Sequence, residues 1–248
     1  MKTAIKLLLL YFAYQLLFGA AMMGLSQLWP VGPTTQLALS LLLSGAAMTV
    51  HLVAGRYVDL RQSFRPVGLN SMLCCIVCTL STMIGCNALS ELITLPNWLA
   101  SDFTDLSHNL LGVAGITLVA PWVEELLFRG AILQRLNRGR RSPWRGIVLS
   151  ALLFGLIHVN PAQVFFAIPM GIALGWITVQ TRSLWPAIIG HVVNNSLSVV
   201  EMVTNESRGT APDYTTMPAP ELALAAIIAL ACAFVVGRKL RHHMEMGE

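Results

Sequence analysis

The stretch PWVEELLFRG, residues 121–130, places two glutamates and an arginine inside a segment that is otherwise apolar from Leu110 to Leu133. A charged side chain at the centre of a membrane-spanning helix costs about 2.5–3.5 kcal/mol to insert, whereas each large apolar residue returns about 0.3–0.6 kcal/mol. Three charges therefore cost about 8–10 kcal/mol, more than the apolar residues of one segment offset. We expect such charges to be paired, hydrated or partly protonated.

The composition places this segment in a membrane protein. The chain has 248 residues, of which 55% are hydrophobic and 11% charged, and its mean hydropathy is +0.67. Crossing a bilayer needs about 20 apolar residues per helix. The sequence predicts an all-α, polytopic membrane helical bundle of about eight transmembrane helices, forming a single membrane domain over 1–248. The predicted spans are 7–29, 34–54, 70–93, 110–134, 145–160, 162–180, 184–203 and 221–237, and the short fifth span is expected to be tilted or to stop within the bilayer.

The basic residues predict the orientation, because cytoplasmic loops carry an excess of Lys and Arg. With eight spans the loop residues fall on one side, apart from Arg208 on the opposite side, which predicts cytoplasmic termini. The first apolar run is longer than a signal-peptide core and predicts an uncleaved span. We expect a multi-pass protein of a cell membrane, and the small size of the chain favours a bacterial inner membrane. The net charge of +4 reflects this sorting and predicts no nucleic-acid partner. The sorted residues are Lys2, Lys6, Arg56, Arg61, Arg65, Arg135, Arg138, Arg140, Arg141, Arg145, Arg182, Arg238, Lys239 and Arg241.

Helical spacing indicates how the three charges are arranged. Glu125 and Arg129 stand at i, i+4 on one helix face, with the acid nearer the N-terminus, which is the favourable order for an ion pair. Glu124 is turned about 100° away from this pair. One interpretation is a purely structural network that locks helices together. The other is that Arg129 holds Glu125, while Glu124 faces a hydrated cavity as a base or ligand.

Two proline and glycine features also bear on the bundle. Pro121 removes an amide donor and its ring clashes with the carbonyl of Thr117, which predicts a kink one turn before the charges. Gly171 and Gly175 form a GxxxG pattern, which predicts a close approach of the sixth span to a neighbouring helix.

Two later spans carry polar side chains of their own. FGLIH places Phe154 and His158 at i, i+4, and HVVNN places His191 and Asn195 likewise. A single buried histidine is usually a packing residue. Glu124, His158 and His191 lie on three separate apolar spans, however, and meeting one another in the bundle interior is the least costly way to satisfy them.

Such a meeting has the parts for hydrolysis. A carboxylate can take a proton from water, imidazoles can orient that water, and an amide can donate to an oxyanion. Glu124, His158 and His191 also match the donor types of catalytic zinc sites, so zinc or another divalent metal is one alternative. The HExxH pattern, in which the ligands share one helix, is absent from the sequence.

The three motifs resemble those of a known family. EELLFRG fits EExxxR, FGLIH fits FxxxH and HVVNN fits HxxxN, the motifs of the CPBP or Abi intramembrane endopeptidases, which include type II CAAX prenyl proteases and bacteriocin-processing enzymes. The resemblance covers about 107–203 and implies that this part is the catalytic core. It implies that Glu124 and His158 activate water, that His191 and Asn195 bind the oxyanion, and that Glu125 and Arg129 shape the site. It leaves a metal-dependent and a metal-free glutamate mechanism open.

The function expected from these residues is hydrolysis of a peptide bond at or in the membrane. The expected partners are the lipid bilayer and a peptide or protein substrate, either membrane-associated or free. Two alternatives remain. The buried Glu and His residues could form the relay of a proton-coupled transporter, or the chain could be a catalytically silent membrane scaffold or immunity protein.

Overall fold

The computed structural model describes residues 1–90, 92–93, 95–139, 141–207 and 219–246, and in these residues every regular element is helical. Arg140, one of the basic residues used above, lies outside them, and nothing is described of the side chains of Lys239 and Arg241. The helices are α1 Lys2–Leu25, α2 Pro33–Ala54, α3 Leu60–Ser63, α4 Leu69–Ser90, α5 Ala100–Ser107, α6 Leu110–Asn137, α7 Trp144–Leu156, α8 Pro161–Thr181, α9 Trp185–Ser207 and α10 Ala219–Met246.

These helices confirm the prediction of a polytopic helical membrane bundle. Six of them, α1, α2, α4, α6, α8 and α10, are long and apolar enough to cross a membrane. The other two predicted spans are also helical: α7 has only 13 residues, as expected for the short fifth span, and α9 carries the polar HVVNN motif. The chain is therefore a multi-pass membrane protein.

Helix α6 lies at the centre of the bundle. Its most apolar window is 56% buried, against 11% for α1. It contacts α1, α2, α7, α8 and α9, whereas α4 packs mainly against α10. The charges of the opening motif thus lie on the helix with the most neighbours, where other side chains can satisfy them.

The basic loops meet at one end of the bundle. The loop after α2, the end of α6 and the loop after α8 line a common cavity, and Met1 lies close to Arg135 and Arg138. Helix α10 runs antiparallel to α4, because Ala226 and Leu230 lie against Gly85 while Ala233 lies against Cys78. The C-terminal part of α10 therefore points to the same end as the N-terminus, which agrees with the prediction that both termini lie on one side of the bundle.

The proline in α6 is accommodated by a change of helical pitch. Residues 115–119 form a π-helical segment, and the amide of Ala120 donates to the carbonyl of Gly115, five residues earlier. In this register the carbonyl of Ile116 would be paired with the amide of residue 121, which is a proline and has none. The Asn195 side chain of α9 donates to that carbonyl over 2.9 Å, so the unpaired backbone group ties α6 to the HxxxN motif.

The glycines of the GxxxG pattern face α7, as the close-approach prediction requires. A Cβ atom at Gly171 would lie 3.0 Å from the Cα and Cβ of Ala151, and one at Gly175 would lie 3.4 Å from Ile147. Both contacts lie between α7 and α8, so the absent side chains allow the two backbones to pack closely.

We expect Gly171→Val to loosen this contact, because the added side chain meets the backbone of α7 and overpacking costs about 1–3 kcal/mol. The measurement is thermal unfolding of the purified protein in detergent, with Gly19→Val as the matched control. A Cβ at Gly19, in α1, meets nothing within 4 Å. Equal unfolding temperatures for the two variants would contradict the close packing of α7 and α8.

Candidate active site

The predicted ion pair of α6 is present and fully buried. Arg129 Nη1 donates to Glu125 Oε1 over 2.8 Å, and the two residues are 1% and 0% exposed. The pairing follows from helix geometry, because residues four apart lie one turn above each other. A buried ion pair is stabilising only when its remaining donors and acceptors are also hydrogen-bonded.

His191 of α9 joins the pair and extends it to the second glutamate. Its Nδ1 lies 2.9 Å from Glu125 Oε1, and its Nε2 lies 3.8 Å from Glu124 Oε2. One oxygen of Glu125 thus contacts both Arg129 and His191. The imidazole lies between the two carboxylates, and Glu124 is only 8% exposed.

Phe154 of α7 forms the floor of this cluster. The Arg129 guanidinium lies 4.4 Å above its ring centroid, a cation–π geometry, and His191 packs edge-on at 5.8 Å between ring centroids. Arg129 Nη2 also donates to the Gly171 carbonyl of α8 over 3.3 Å. The phenylalanine of the FxxxH motif therefore acts as a packing surface for the charged groups of the EExxxR motif.

His158 lies just beyond the end of α7, which stops at Leu156. Its Nδ1 is 2.8 Å from the Phe154 carbonyl, and its ring packs edge-on against Phe154 at 5.0 Å. Since a carbonyl only accepts, Nδ1 carries a proton, and in the neutral imidazole Nε2 then keeps its lone pair. Within the described residues His158 makes no hydrogen bond or ion pair with Glu124, and it shares with His191 only the packing surface of Phe154.

The side-chain amide of the motif asparagine, Asn195, already forms hydrogen bonds within the bundle. Asn195 Nδ2 donates to the Ile116 carbonyl, and its Oδ1 accepts from Asn194 Nδ2 over 3.0 Å. Asn194 is 5% exposed, and its own Oδ1 has no hydrogen-bond partner among the described residues. One N–H of the Asn195 amide remains for another acceptor.

Sequence reasoning missed a residue outside the three motifs. The Tyr11 side chain of α1 interacts with the side chains of Glu124 and Gln15. It is 8% exposed and belongs to the same apolar cluster as Val123 and Leu127 of α6. The available signal was the polar i, i+4 pair Tyr11 and Gln15 inside an apolar span.

The donor set expected for a metal is not assembled. Glu124 and His191 approach each other, but His158 is directed to the Phe154 carbonyl. In the part of the chain that the structure describes, no group of three or more His, Cys, Asp or Glu side chains is placed to hold a metal ion. Glu124, His158 and His191 are thus not grouped as one metal site among the described residues, and metal binding by them stays a prediction.

Comparison with known proteins agrees with the motif resemblance. Residues 106–197 match the family model described as type II CAAX prenyl endopeptidase Rce1-like. The protein named "Putative membrane peptidase YdiL" of Bacillus subtilis (strain 168) is 25% identical over 84 residues, which are 34% of this chain and 34% of that protein. The chain thus aligns with about a third of this relative's length. No solved structure matches the chain.

The matched residues contain the EExxxR, FxxxH and HxxxN motifs, and the buried cluster that the structure assembles lies within them apart from Tyr11. Through residues 106–197, the chain is thus similar to the type II CAAX prenyl endopeptidase Rce1-like family.

Proposed function

We propose that the chain is a membrane-embedded endopeptidase that hydrolyses a peptide bond at or in the membrane. The observation that carries the proposal is the contact of Glu124, Glu125, Arg129 and His191 within the family-matched residues. Two carboxylates, an imidazole and a guanidinium meet in the interior of a membrane bundle, where each is costly. Such groups are typical of a functional site.

Glu124 is the proposed general base. It makes the longer contact with His191, 3.8 Å, whereas Glu125 is held by two contacts under 3 Å. Glu124 is therefore the carboxylate that is freer to accept a proton. It takes that proton from water while the water oxygen bonds to the scissile carbonyl carbon, and it returns the proton to the amide nitrogen as the C–N bond breaks.

His158 is proposed to orient the attacking water. Its Nδ1–H is used by the Phe154 carbonyl, so the lone pair of Nε2 can accept a hydrogen bond from water. Phe154 thereby sets both the tautomer of His158 and the ring plane against which His191 packs. Substrate binding has to bring the water between His158 and Glu124.

His191 and Asn195 are proposed to bind the oxyanion of the tetrahedral intermediate. With Nδ1–H donated to Glu125, a protonated His191 has Nε2–H to offer, and Asn195 has one N–H beyond its bond to Ile116.

The test is hydrolysis by the purified full chain in detergent, measured with a panel of fluorogenic peptides, with and without a chelator and beside metal analysis of the same samples. We expect cleavage that His158→Ala removes while the helical circular dichroism signal persists. Cleavage that survives His158→Ala unchanged contradicts the proposed role of His158. Activity lost with the chelator together with stoichiometric metal would replace the metal-free role of Glu124 with a metal-dependent one.

The same preparation separates the alternatives. Among the described residues, no contact specifically favours proton transport or a silent scaffold. A transporter requires proton or substrate flux in proteoliposomes without peptide cleavage, and a scaffold requires full biological activity in a chain that lacks the Glu124 carboxylate.

Tyr11→Phe is expected to lower kcat about three- to tenfold, because it removes one hydroxyl beside Glu124, worth about 0.5–1.5 kcal/mol. The measurement is steady-state cleavage of the best peptide in the panel. Tyr14→Phe is the matched control on the same helix, since its hydroxyl contacts His51 Nδ1 at 3.2 Å and not the site. Equal kcat values for the two variants would contradict positioning of Glu124 by Tyr11.

A further inference from the structure

A cavity of about 660 Å³ opens at the basic end of the bundle. It lies between the loop after α2, the C-terminal end of α6 and the loop after α8. Its volume is in the range of small-ligand sites. Six arginines line it: Arg56, Arg65, Arg129, Arg135, Arg138 and Arg182.

The positive charge of this arginine cavity is mostly uncompensated. The acidic lining residue, Asp59, is already used as the N-cap of α3, where its Oδ1 accepts from the amide of Gln62 over 3.1 Å. Arg135 is engaged by the Tyr57 carbonyl and ring. Four of the guanidinium groups, however, make no ion pair or hydrogen bond within the described residues: those of Arg56, Arg65, Arg138 and Arg182.

The inner end of the cavity holds a second, independent feature. Arg129 lines the cavity although it is 1% exposed, and its Nε has no hydrogen-bond partner among the described residues. Its other two nitrogens are used by Glu125 and Gly171. A buried guanidinium N–H without an acceptor is costly, and an anion in the cavity is the kind of ligand that satisfies it.

Two tryptophans indicate the depth of this cavity in the membrane. Trp144 and Trp185 begin α7 and α9 at the basic end, and they are 48% and 40% exposed. Exposed tryptophans in membrane proteins concentrate at the level of the lipid headgroups. Trp185 follows Leu184, which itself lines the cavity, so the arginines lie near the plane of the lipid phosphates.

We propose that the arginine cavity binds a phosphate group, carried by the headgroup of an anionic phospholipid from the same leaflet. Arginine is suited to phosphate because its planar donors can form two parallel hydrogen bonds, and basic pockets between transmembrane helices bind such headgroups. The arginine cavity and the proposed peptidase site share Arg129, but the other arginines of the cavity take no part in the proposed peptidase chemistry. Because Arg129 is paired with Glu125, an anion bound in the cavity would also stabilise the arginine of this buried ion pair.

The proposal is tested by native mass spectrometry of the full chain. The protein is incubated with phosphatidylglycerol or phosphatidylcholine and then released from detergent. We expect retention of one phosphatidylglycerol and no comparable retention of phosphatidylcholine. The triple variant R65Q, R138Q, R182Q should bind phosphatidylglycerol roughly a hundredfold more weakly, because each basic residue near the surface contributes about one tenfold step or slightly less. The corresponding triple lysine variant should keep most of the binding.

The matched control removes three arginines from the same end of the bundle but outside the cavity: R61Q, R141Q, R145Q. It changes the overall charge equally and should bind phosphatidylglycerol like the wild type. Equal losses in the two glutamine triples would overturn the site in favour of a general surface attraction. Unchanged binding in R65Q, R138Q, R182Q would overturn it outright, and the single changes R65Q and R182Q carry the same test if the triple variant does not fold.

Inorganic phosphate and glycerol phosphate separate the two sources of the ligand. If the site takes a lipid, phosphatidylglycerol remains bound at millimolar concentrations of either competitor. If inorganic phosphate protects the wild type, but not the glutamine triple, against thermal unfolding while no lipid is retained, the phosphate site stands and the lipid as its occupant is overturned. Absence of binding by both ligands overturns the proposal.

Discussion

Glu124→Gln is expected to reduce peptide cleavage by about 10²- to 10⁴-fold, the usual contribution of a general base. The change keeps the size and hydrogen-bonding capacity of the side chain but removes its ability to take a proton from water. The glutamine amide can still contact His191 and Tyr11, so the cluster loses one charge without losing its packing. The effect should therefore appear in kcat, with little change in KM.

The measurement is kcat/KM for the best peptide of the panel, with circular dichroism and thermal unfolding on the same samples. Glu221→Gln is the matched control, because Glu221 is an exposed glutamate in the first turn of α10. It should retain wild-type activity. A folded Glu124→Gln variant that cleaves within threefold of the wild type would remove Glu124 from the chemistry and leave the cluster as a structural lock between helices.

Arg129→Met is expected to lower the free energy of unfolding by about 3–5 kcal/mol, the cost of breaking a buried ion pair from one side. The change leaves the Glu125 carboxylate, which is 0% exposed, with His191 as its remaining described partner. It also removes the bond to the Gly171 carbonyl and the cation above Phe154, so the contact of α6 with α7 and α8 is weakened.

A double-mutant cycle with Glu125→Gln separates the ion pair from the packing. Because the double variant buries no unpaired charge at this position, it should recover a large part of the stability lost in Arg129→Met. The measurement is unfolding in mixed detergent micelles, monitored by circular dichroism, and Arg61→Met, an exposed arginine of α3, is the control. A loss below about 1 kcal/mol in Arg129→Met would show that the pair is hydrated and not the buried lock described here.

Much of the fold could be predicted from local features of the sequence. Eight apolar runs correspond to eight helices of the bundle, and the short fifth run became the 13-residue helix α7. The pair of Glu125 and Arg129 was predictable for the same reason, because a spacing of four residues determines contact within one helix whatever surrounds it.

The contacts between helices were less predictable. The three groups expected to converge were Glu124, His158 and His191, yet His191 lies closer to Glu125, at 2.9 Å, than to Glu124, at 3.8 Å. His158 is bonded to the carbonyl of its own motif phenylalanine instead. One turn before Pro121, where a kink was predicted, the helix contains a π-helical segment over 115–119 that the sequence did not predict.

The sequence by itself thus determined the membrane setting, the helices, the basic end and the ion pair of Glu125 with Arg129 within one helical turn. Only the tertiary structure decided that Glu125 is the carboxylate nearer to His191 and that Tyr11 of α1 contributes to the site. It also decided that the loops bearing arginines line one cavity. The physical reason is that contacts between helices depend on the rotation and depth of each helix. Two π-helical segments in α6, at 115–119 and 126–133, change the rotation and depth of the residues that follow them. The hydropathy pattern of the sequence does not predict these segments.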